Sequence, residues 1–188
     1  HVGAADDPTN DVSAVIDEEA AKKVQSYISI GNKDGQLLAQ ASCDDKNGHF
    51  VQPSVFTDLK KDSRLTTEEV FGPVLAVYKA KDMDEAINMA TDTDYGLTGG
   101  VFSRNPRTIE KIKKQYKVGN LYINRGITGA LVGRQPFGGG KLSGTCCKTG
   151  GVDYLLNFVE PRVITENTMR RGFAPVLDGK VECETSTC

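Results

Sequence analysis

The chain has 188 residues, with 25 acidic against 23 basic side chains, a formal net charge of −2 and the two signs interleaved along its length. That size accommodates one domain with a sizeable core. The charge pattern leaves no basic stripe for nucleic acid and no polybasic run for an anionic membrane, and no apolar run approaches the ~20 residues that span a bilayer.

The five cysteines, Cys43, Cys146, Cys147, Cys183 and Cys188, are odd in number and irregularly spaced, and the histidines are His1 and His49. Without a CxxC pair this is a poor zinc site and a poor disulfide framework, which points to a reducing compartment. The first twelve residues are small, polar or acidic and begin at His1. They carry no signal-peptide pattern and suit a piece that starts in the middle of a longer protein.

Asp17 is placed to cap a helix whose apolar positions Ala21, Val24 and Ile28 recur at three- and four-residue steps, with Gly31 and Gly35 marking where it frays and stops. Residues 49–56 read as a strand made irregular by Pro53. Residues 74–78 (Val-Leu-Ala-Val-Tyr) form a short apolar run suited to a strand buried on both faces. Asp82 and Glu85 have capping-box spacing and open a helix with Ala86, Ile87 and Ala90 inward, ending near Tyr95-Gly96. Residues 99–102 give another short strand. Asn105-Pro106 pairs an N-cap with proline at the first helical position, and an amphipathic helix follows through Ile109, Ile112 and Tyr116 to Gly119. Residues 120–124 (Asn-Leu-Tyr-Ile-Asn) form the third strand of the series.

Strands alternating with helices over short connections predict an α/β fold with a parallel sheet and flanking helices. Residues 126–151 then bring nine glycines without helical periodicity, too long for a simple connection, which favours a functional loop. Residues 154–164 return to strand-like composition, with Pro161 suggesting an edge. This predicts a main domain over 1–152, a C-terminal strand segment over 153–168 and a flexible tail over 169–188.

Two segments carry candidate chemistry. The glycine loop is not a P-loop, because Leu142 follows Gly140-Lys141 and Gln135 stands where glycine is needed, and Ser143 replaces the third glycine of a dinucleotide fingerprint. Thr128-Gly129-Ala130 offers small residues whose amides can converge on a carboxylate, with Phe137 walling the pocket; a structural turn has the same composition. In Glu68-Glu69-Val70-Phe71-Gly72-Pro73, one carboxylate can accept hydrogen bonds from sugar hydroxyls while Phe71 offers an apolar face to a flat heterocycle. A solvated acidic pair beside a core phenylalanine is the alternative, and spacing alone does not separate the two.

The order of motifs supplies what spacing does not. Glu68-Glu69-Val70-Phe71-Gly72-Pro73-Val74 is followed by Asp84-Glu85-Ala86-Ile87, Asp94-Tyr95-Gly96-Leu97-Thr98-Gly99-Gly100-Val101-Phe102 and Val118-Gly119-Asn120-Leu121-Tyr122-Ile123-Asn124. This series resembles the aldehyde dehydrogenase catalytic domain. Arg125, Thr128-Gly129-Ala130, Val132-Gly133-Arg134-Gln135-Pro136-Phe137-Gly138-Gly139, Ser143-Gly144-Thr145 and Gly150-Gly151-Val152-Asp153-Tyr154-Leu155 resemble its Δ1-pyrroline-5-carboxylate dehydrogenase branch. That branch includes the dehydrogenase half of bifunctional proline-utilisation proteins. The resemblance runs from about Val15 to Asn167.

It implies oxidation of L-glutamate γ-semialdehyde to L-glutamate with NAD, in proline catabolism, through a cysteine thiolate that attacks the aldehyde. By position, Glu69 would hold the nicotinamide-ribose hydroxyls and Phe71 would lie near the nicotinamide. The Gly129 and Ala130 amides would anchor the substrate's carboxylate, and Phe137 would line its aliphatic chain. The family's C-terminal strand, here about residues 155–164, implies a homo-oligomer. The bacterial cytoplasm and the mitochondrial matrix are the implied compartments.

The family's Rossmann-type NAD domain and its Gly-Gln-x-Cys nucleophile have no counterpart in these residues, so both are expected upstream and this chain alone is expected to be inactive, with weak NAD binding at most. Cys43 sits beside two acids that raise a thiol pKa, and Cys146 and Cys147 match no catalytic cysteine of the family. Two other readings are a different aldehyde dehydrogenase branch and a non-catalytic aldehyde-dehydrogenase-like assembly module.

Overall fold

A computed structural model describes residues 1–43 and 48–167. The expected tail over 169–188, with Cys183 and Cys188, lies outside the described residues. Among the described residues no helix is long and apolar enough to cross a membrane. The chain divides into two compact units, His1–Gly151 and a second beginning at Val152.

Helix α1 (Glu18–Asp34) starts where Asp17 accepts the Ala20 N–H at 2.7 Å, and Glu18 and Glu19 complement the positive end of its dipole. It buries Ala21, Val24, Tyr27 and Gly31 and ends at Gly35. Gly31 therefore does not fray the helix. It lies inside it, because a side chain there would collide with the Phe56 ring, 2.7 Å from the position a Cβ would take.

Three strands follow: β1 (Gln36–Gln40), β2 (Ser54–Thr57) and, after the one-turn helix α2 (Arg64–Thr67), β3 (Val74–Val77). They form a sheet in which β2 runs antiparallel to β1 and parallel to β3. Strand β2 begins only after Pro53, which has no N–H to give the ladder. Under this sheet lies the core. Phe56, Tyr27, Leu59 and Leu65 make one cluster, and Ala21, Val24 and Val51 the other, with Val70 and Val74 packed against both.

The next segment departs from the single parallel sheet read from the sequence. Helix α3 (Met83–Thr91) opens with the expected capping box: Asp82 accepts the Glu85 N–H at 2.9 Å and Glu85 accepts the Lys81 N–H at 2.7 Å. It buries Ile87, leaves Ala90 exposed and stops at Asp92, so that Tyr95 and Gly96 form β4 (Tyr95–Gly96). Strand β5 (Thr98–Val101), helix α4 (Pro106–Gln115) and strand β6 (Asn120–Ile123) make a strand-helix-strand unit with β5 and β6 parallel. Asn105 caps α4 through Arg107 N–H at 2.9 Å.

Strand β3 does not pair with β5. Each belongs to a separate small sheet, and β4 pairs antiparallel with β7 (Gly140–Lys141) in a third. Among the described residues one edge of β3 has no partner strand, and its apolar side chains are not buried on both faces: Leu75 is 57 % exposed. Apolar composition located the strand but not its burial: residues 74–77 alternate between half-buried and exposed.

In the second unit, residues 154–164 are not a strand. Val152–Phe158 form a 3-10 helix, with Tyr154 and Phe158 edge to face at 5.6 Å. An edge strand without a neighbour leaves its backbone groups unpaired, whereas a 3-10 turn bonds them locally.

Candidate functional site

The first candidate half-site is built outward from the core. Glu68 ends α2 and is held on three sides. The Arg64 Nε and Nη2 groups donate to its two oxygens, both at 2.8 Å, and the Tyr27 hydroxyl donates to Oε2. The Arg64 guanidinium also stacks 5.5 Å above the Tyr27 ring. These donors favour the charged carboxylate, Arg64 first and Tyr27 second, and hold the Glu68 pKa down at about 2 from an ordinary 4.5. The hydrogen bond to Glu68, helped by burial, pushes the Tyr27 hydroxyl up.

A depressed carboxylate pKa contributes stability above the unfolded value, and that contribution disappears as pH falls through the folded value. We therefore expect the urea midpoints of the native chain and Glu68→Gln to differ by a constant amount above pH 4.5. The gap should close as pH approaches about 2. A gap that does not vary with pH would show that ionisation of Glu68 does not contribute.

The next residue has no such ties. The Glu69 carboxylate makes no hydrogen bond or ion pair to any described residue, while its backbone carbonyl accepts from Lys23 Nζ at 3.0 Å. Val70 turns inward onto the core, and Phe71 turns out, 82 % exposed, with a left-handed φ of 58°. That conformation is uncommon for a bulky residue. It is held by the Gly72-Pro73 turn, whose Gly72 packs so closely on Val24 that a Cβ would stand 2.4 Å from Cγ2. The acidic pair thus resolves into a structural carboxylate and an uncommitted one, beside an aromatic ring presented to solvent.

The second half-site is the glycine loop after β6. Arg125 lies over the Tyr122 ring at 5.1 Å and donates to the carbonyls of Gly126 and Thr128, each at 3.3 Å. Beyond the turn, the Leu131 N–H is taken by Gln135 Oε1 at 3.2 Å, and the Leu131 carbonyl accepts from Arg134 and Gln135. Between these fixed points, the amides of Gly129 and Ala130 donate to no described residue. Gly129 has φ 76°, accessible to glycine without strain, and nothing within 4 Å of where a Cβ would be. The turn therefore presents two bare N–H groups.

Phe137 is held on the other arm. It exchanges two backbone hydrogen bonds with Thr149, both at 2.9 Å. The Asn120 side chain clips the flanking peptides by donating to the Pro136 carbonyl at 3.0 Å and accepting the Gly138 N–H at 3.2 Å.

Lys148, which the sequence did not single out, completes this arrangement. Its ammonium reaches the Gly119 carbonyl at 2.6 Å, Asn120 Oδ1 at 3.5 Å and the Gly138 carbonyl. A lysine in a polar, glycine-rich loop reads as solvated, and only the fold reveals that carbonyls surround it. Cys146 and Cys147 are exposed and neighbour this brace, with Cys146 at φ 67°.

Glu69 and Phe71 follow α2 and precede β3, whereas Gly129, Ala130 and Phe137 follow β6 in a separate sheet. No hydrogen bond, ion pair or ring contact joins the two groups among the described residues. The first group offers an uncommitted carboxylate beside an exposed aromatic ring, and the second offers two N–H groups in a turn held at both ends.

The family model described as the aldehyde dehydrogenase family matches residues 1–164. The chain is 48% identical over 165 residues to a 1-pyrroline-5-carboxylate dehydrogenase of Geobacillus sp. (strain WCH70), covering 88% of this chain and 32% of that protein. It is 46% identical to the Bacillus subtilis (strain 168) enzyme of that name, with the same coverages. The chain thus spans about a third of the length of these curated relatives. Among solved structures, an NAD-bound 1-pyrroline-5-carboxylate dehydrogenase from Thermus superposes with a TM-score of 0.80 at 50% identity, covering 85% of this chain and 31% of that one. Proline utilization A from Bdellovibrio bacteriovorus, inactivated by N-propargylglycine, gives 0.84 at 47% identity over 93% of this chain and 18% of that one. On this match, with the strand-helix-strand unit and glycine loop it spans, the chain belongs to the aldehyde dehydrogenase family.

Proposed function

We propose that this chain is the C-terminal part of the catalytic region of a dehydrogenase that oxidises L-glutamate γ-semialdehyde to L-glutamate in proline catabolism. One observation carries the reading: the Gly129 and Ala130 amides donate to no described residue, in a turn fixed on both sides of a chain close in sequence to 1-pyrroline-5-carboxylate dehydrogenases. Two backbone N–H groups of this kind suit the carboxylate of an amino-acid substrate, which would accept both. Phe137 flanks the aliphatic carbons between that carboxylate and the aldehyde.

NAD, the cofactor of this reading, supplies the hydride acceptor when bound. The residues of the first half-site fit it. Glu69 offers an uncommitted carboxylate to ribose hydroxyls, and the exposed Phe71 ring offers an apolar face to the nicotinamide. In this reading the nucleophilic cysteine lies upstream of His1. The 188 residues alone hold only parts of each site, so they bind NAD weakly or not at all and do not turn over.

Each charge-assisted hydrogen bond to the carboxylate is worth about 1.5–3 kcal/mol. Two such bonds correspond to a preference of roughly 10²- to 10⁴-fold in kcat/KM over an aldehyde of similar length without a carboxylate. Assay of the whole parent enzyme with NAD, comparing Δ1-pyrroline-5-carboxylate with pentanal, tests this directly. Equal kcat/KM values would remove the anchor reading, and turnover by the isolated chain would remove the assignment of the nucleophile.

The oligomer belongs to the same proposal. Leu155, Leu156, Phe158, Val159, Val163 and Ile164 are all exposed here. A second subunit that supplied a pairing edge would bury them and turn residues 155–164 into the strand that one chain cannot form alone. The relatives reported above are bacterial, which favours the cytoplasm over the mitochondrial matrix.

A further inference from the structure

Residues 148–151 touch both arms of the glycine loop. Thr149 forms the two-bond bridge with Phe137, and the Gly150 carbonyl accepts the Gly133 N–H at 2.9 Å. Gly150 also lies against Val132: a Cβ on it would be 3.2 Å from the Val132 Cα. The Gly151 N–H closes the turn onto the Lys148 carbonyl at 2.9 Å. One short strap thus fixes the Phe137 wall on one side and the segment following Gly129 and Ala130 on the other.

The strap is itself moored by a single side chain. The Lys148 ammonium has three N–H donors and three acceptors: the Gly119 carbonyl, Asn120 Oδ1 and the Gly138 carbonyl. Two of these belong to the start of β6 and the third to the peptide after Phe137. No carboxylate among the described residues pairs with Lys148. Its charge is met by carbonyl and amide dipoles alone, and its whole hydrogen-bonding capacity goes into joining strap, strand and loop.

We infer that Lys148 is a positioning residue for the substrate-carboxylate anchor: by mooring residues 148–151 to β6, it sets the spacing between the Phe137 wall and the Gly129-Ala130 amides. The inference rests on the functional reading above and deepens it, because it makes discrimination for carboxylate-bearing aldehydes depend on a residue that does not touch the substrate. Methionine in place of lysine preserves the length and apolar stem and loses all three bonds. Arginine keeps the charge and donors.

The test has two arms, both in the full parent enzyme. The first is hydrogen exchange at Gly133 and Phe137, whose amides bond to the strap, against Asn124, whose amide bonds to the Val101 carbonyl at 2.8 Å in the β5–β6 unit. In Lys148→Met, Gly133 and Phe137 should exchange at least about tenfold faster while Asn124 is unchanged, and Lys148→Arg should restore part of the protection. The second arm is kinetic. In Lys148→Met the ratio of kcat/KM for Δ1-pyrroline-5-carboxylate to that for pentanal should fall about tenfold, expressed mainly as a rise in KM for the former, with partial recovery in Lys148→Arg.

Equal losses on both aldehydes, or an unchanged ratio, overturn the positioning role. If the unsubstituted enzyme shows no preference for the carboxylate-bearing aldehyde, the proposed function fails by itself. Exchange then decides the strap, and unaltered rates at Gly133 and Phe137 overturn it.

Discussion

Replacing Phe56 by alanine should destabilise the chain by about 3–5 kcal/mol, a large fraction of the roughly 5–15 kcal/mol that holds a domain together. The ring is fully buried and closes the cluster formed with Tyr27, Leu59 and Leu65. Helix α1 brings Gly31 directly onto the ring, so removing it opens a hole that the rigid helix backbone cannot close by a small rotation. The loss should appear as a lower urea midpoint followed by far-UV circular dichroism, with Phe56→Leu losing less because much of the volume remains. A deficit below about 1 kcal/mol for Phe56→Ala would mean that the site collapses freely. The effect should reach the first half-site as well: Val70, between Glu69 and Phe71, packs on this cluster, and Tyr27 is both a cluster member and a donor to Glu68.

What the sequence disclosed, and what it did not, follows the range of the interactions involved. The starts of α1, α3 and α4 were legible because Asp17, Asp82 and Asn105 bond to amides two or three residues away. Strand β1 was not. Its residues, Gln36 to Gln40, are all exposed, and only pairing with β2, interrupted by an irregularity between Leu37 and Ala39, makes them a strand. Periodicity likewise identified β3, β5 and β6 but not which of them are neighbours, since pairing is decided by long-range closure. Glu68 and Glu69 are chemically identical in sequence. They are told apart by a tyrosine 41 residues earlier, so spacing alone could not show which of the two carboxylates is tied into the core. Gly129 and Ala130 were readable as a bare turn because smallness is a local property. The partners that aim the turn, Arg125 and Gln135, and the mooring of its other arm by Lys148, depend on where carbonyls end up in space.

The glycine loop provides the second large effect, and it separates glycines that the sequence counts alike. A Cβ on Gly138 would stand 2.1 Å from the Cys147 carbonyl oxygen, and one on Gly119 would stand 2.1 Å from the Gly138 carbonyl oxygen. Both obstacles are backbone, and each is tied into the Lys148 and Asn120 network, so relief requires the strap or β6 to move by about an ångström, which is overpacking of the costliest kind. Gly138→Ala should therefore cost about 3 kcal/mol or more, with Gly119→Ala close behind. Gly126 is the internal control: it has no left-handed φ, and nothing lies within 4 Å of the position a Cβ would occupy. Gly126→Ala should change stability by less than about 0.5 kcal/mol, or raise it slightly by restricting the unfolded chain. Urea unfolding of the three variants side by side measures the ranking. Similar midpoints for Gly138→Ala and Gly126→Ala would mean that the loop is loose enough to absorb a methyl group anywhere, and a loop that loose cannot hold two amides and a phenyl ring at a fixed spacing.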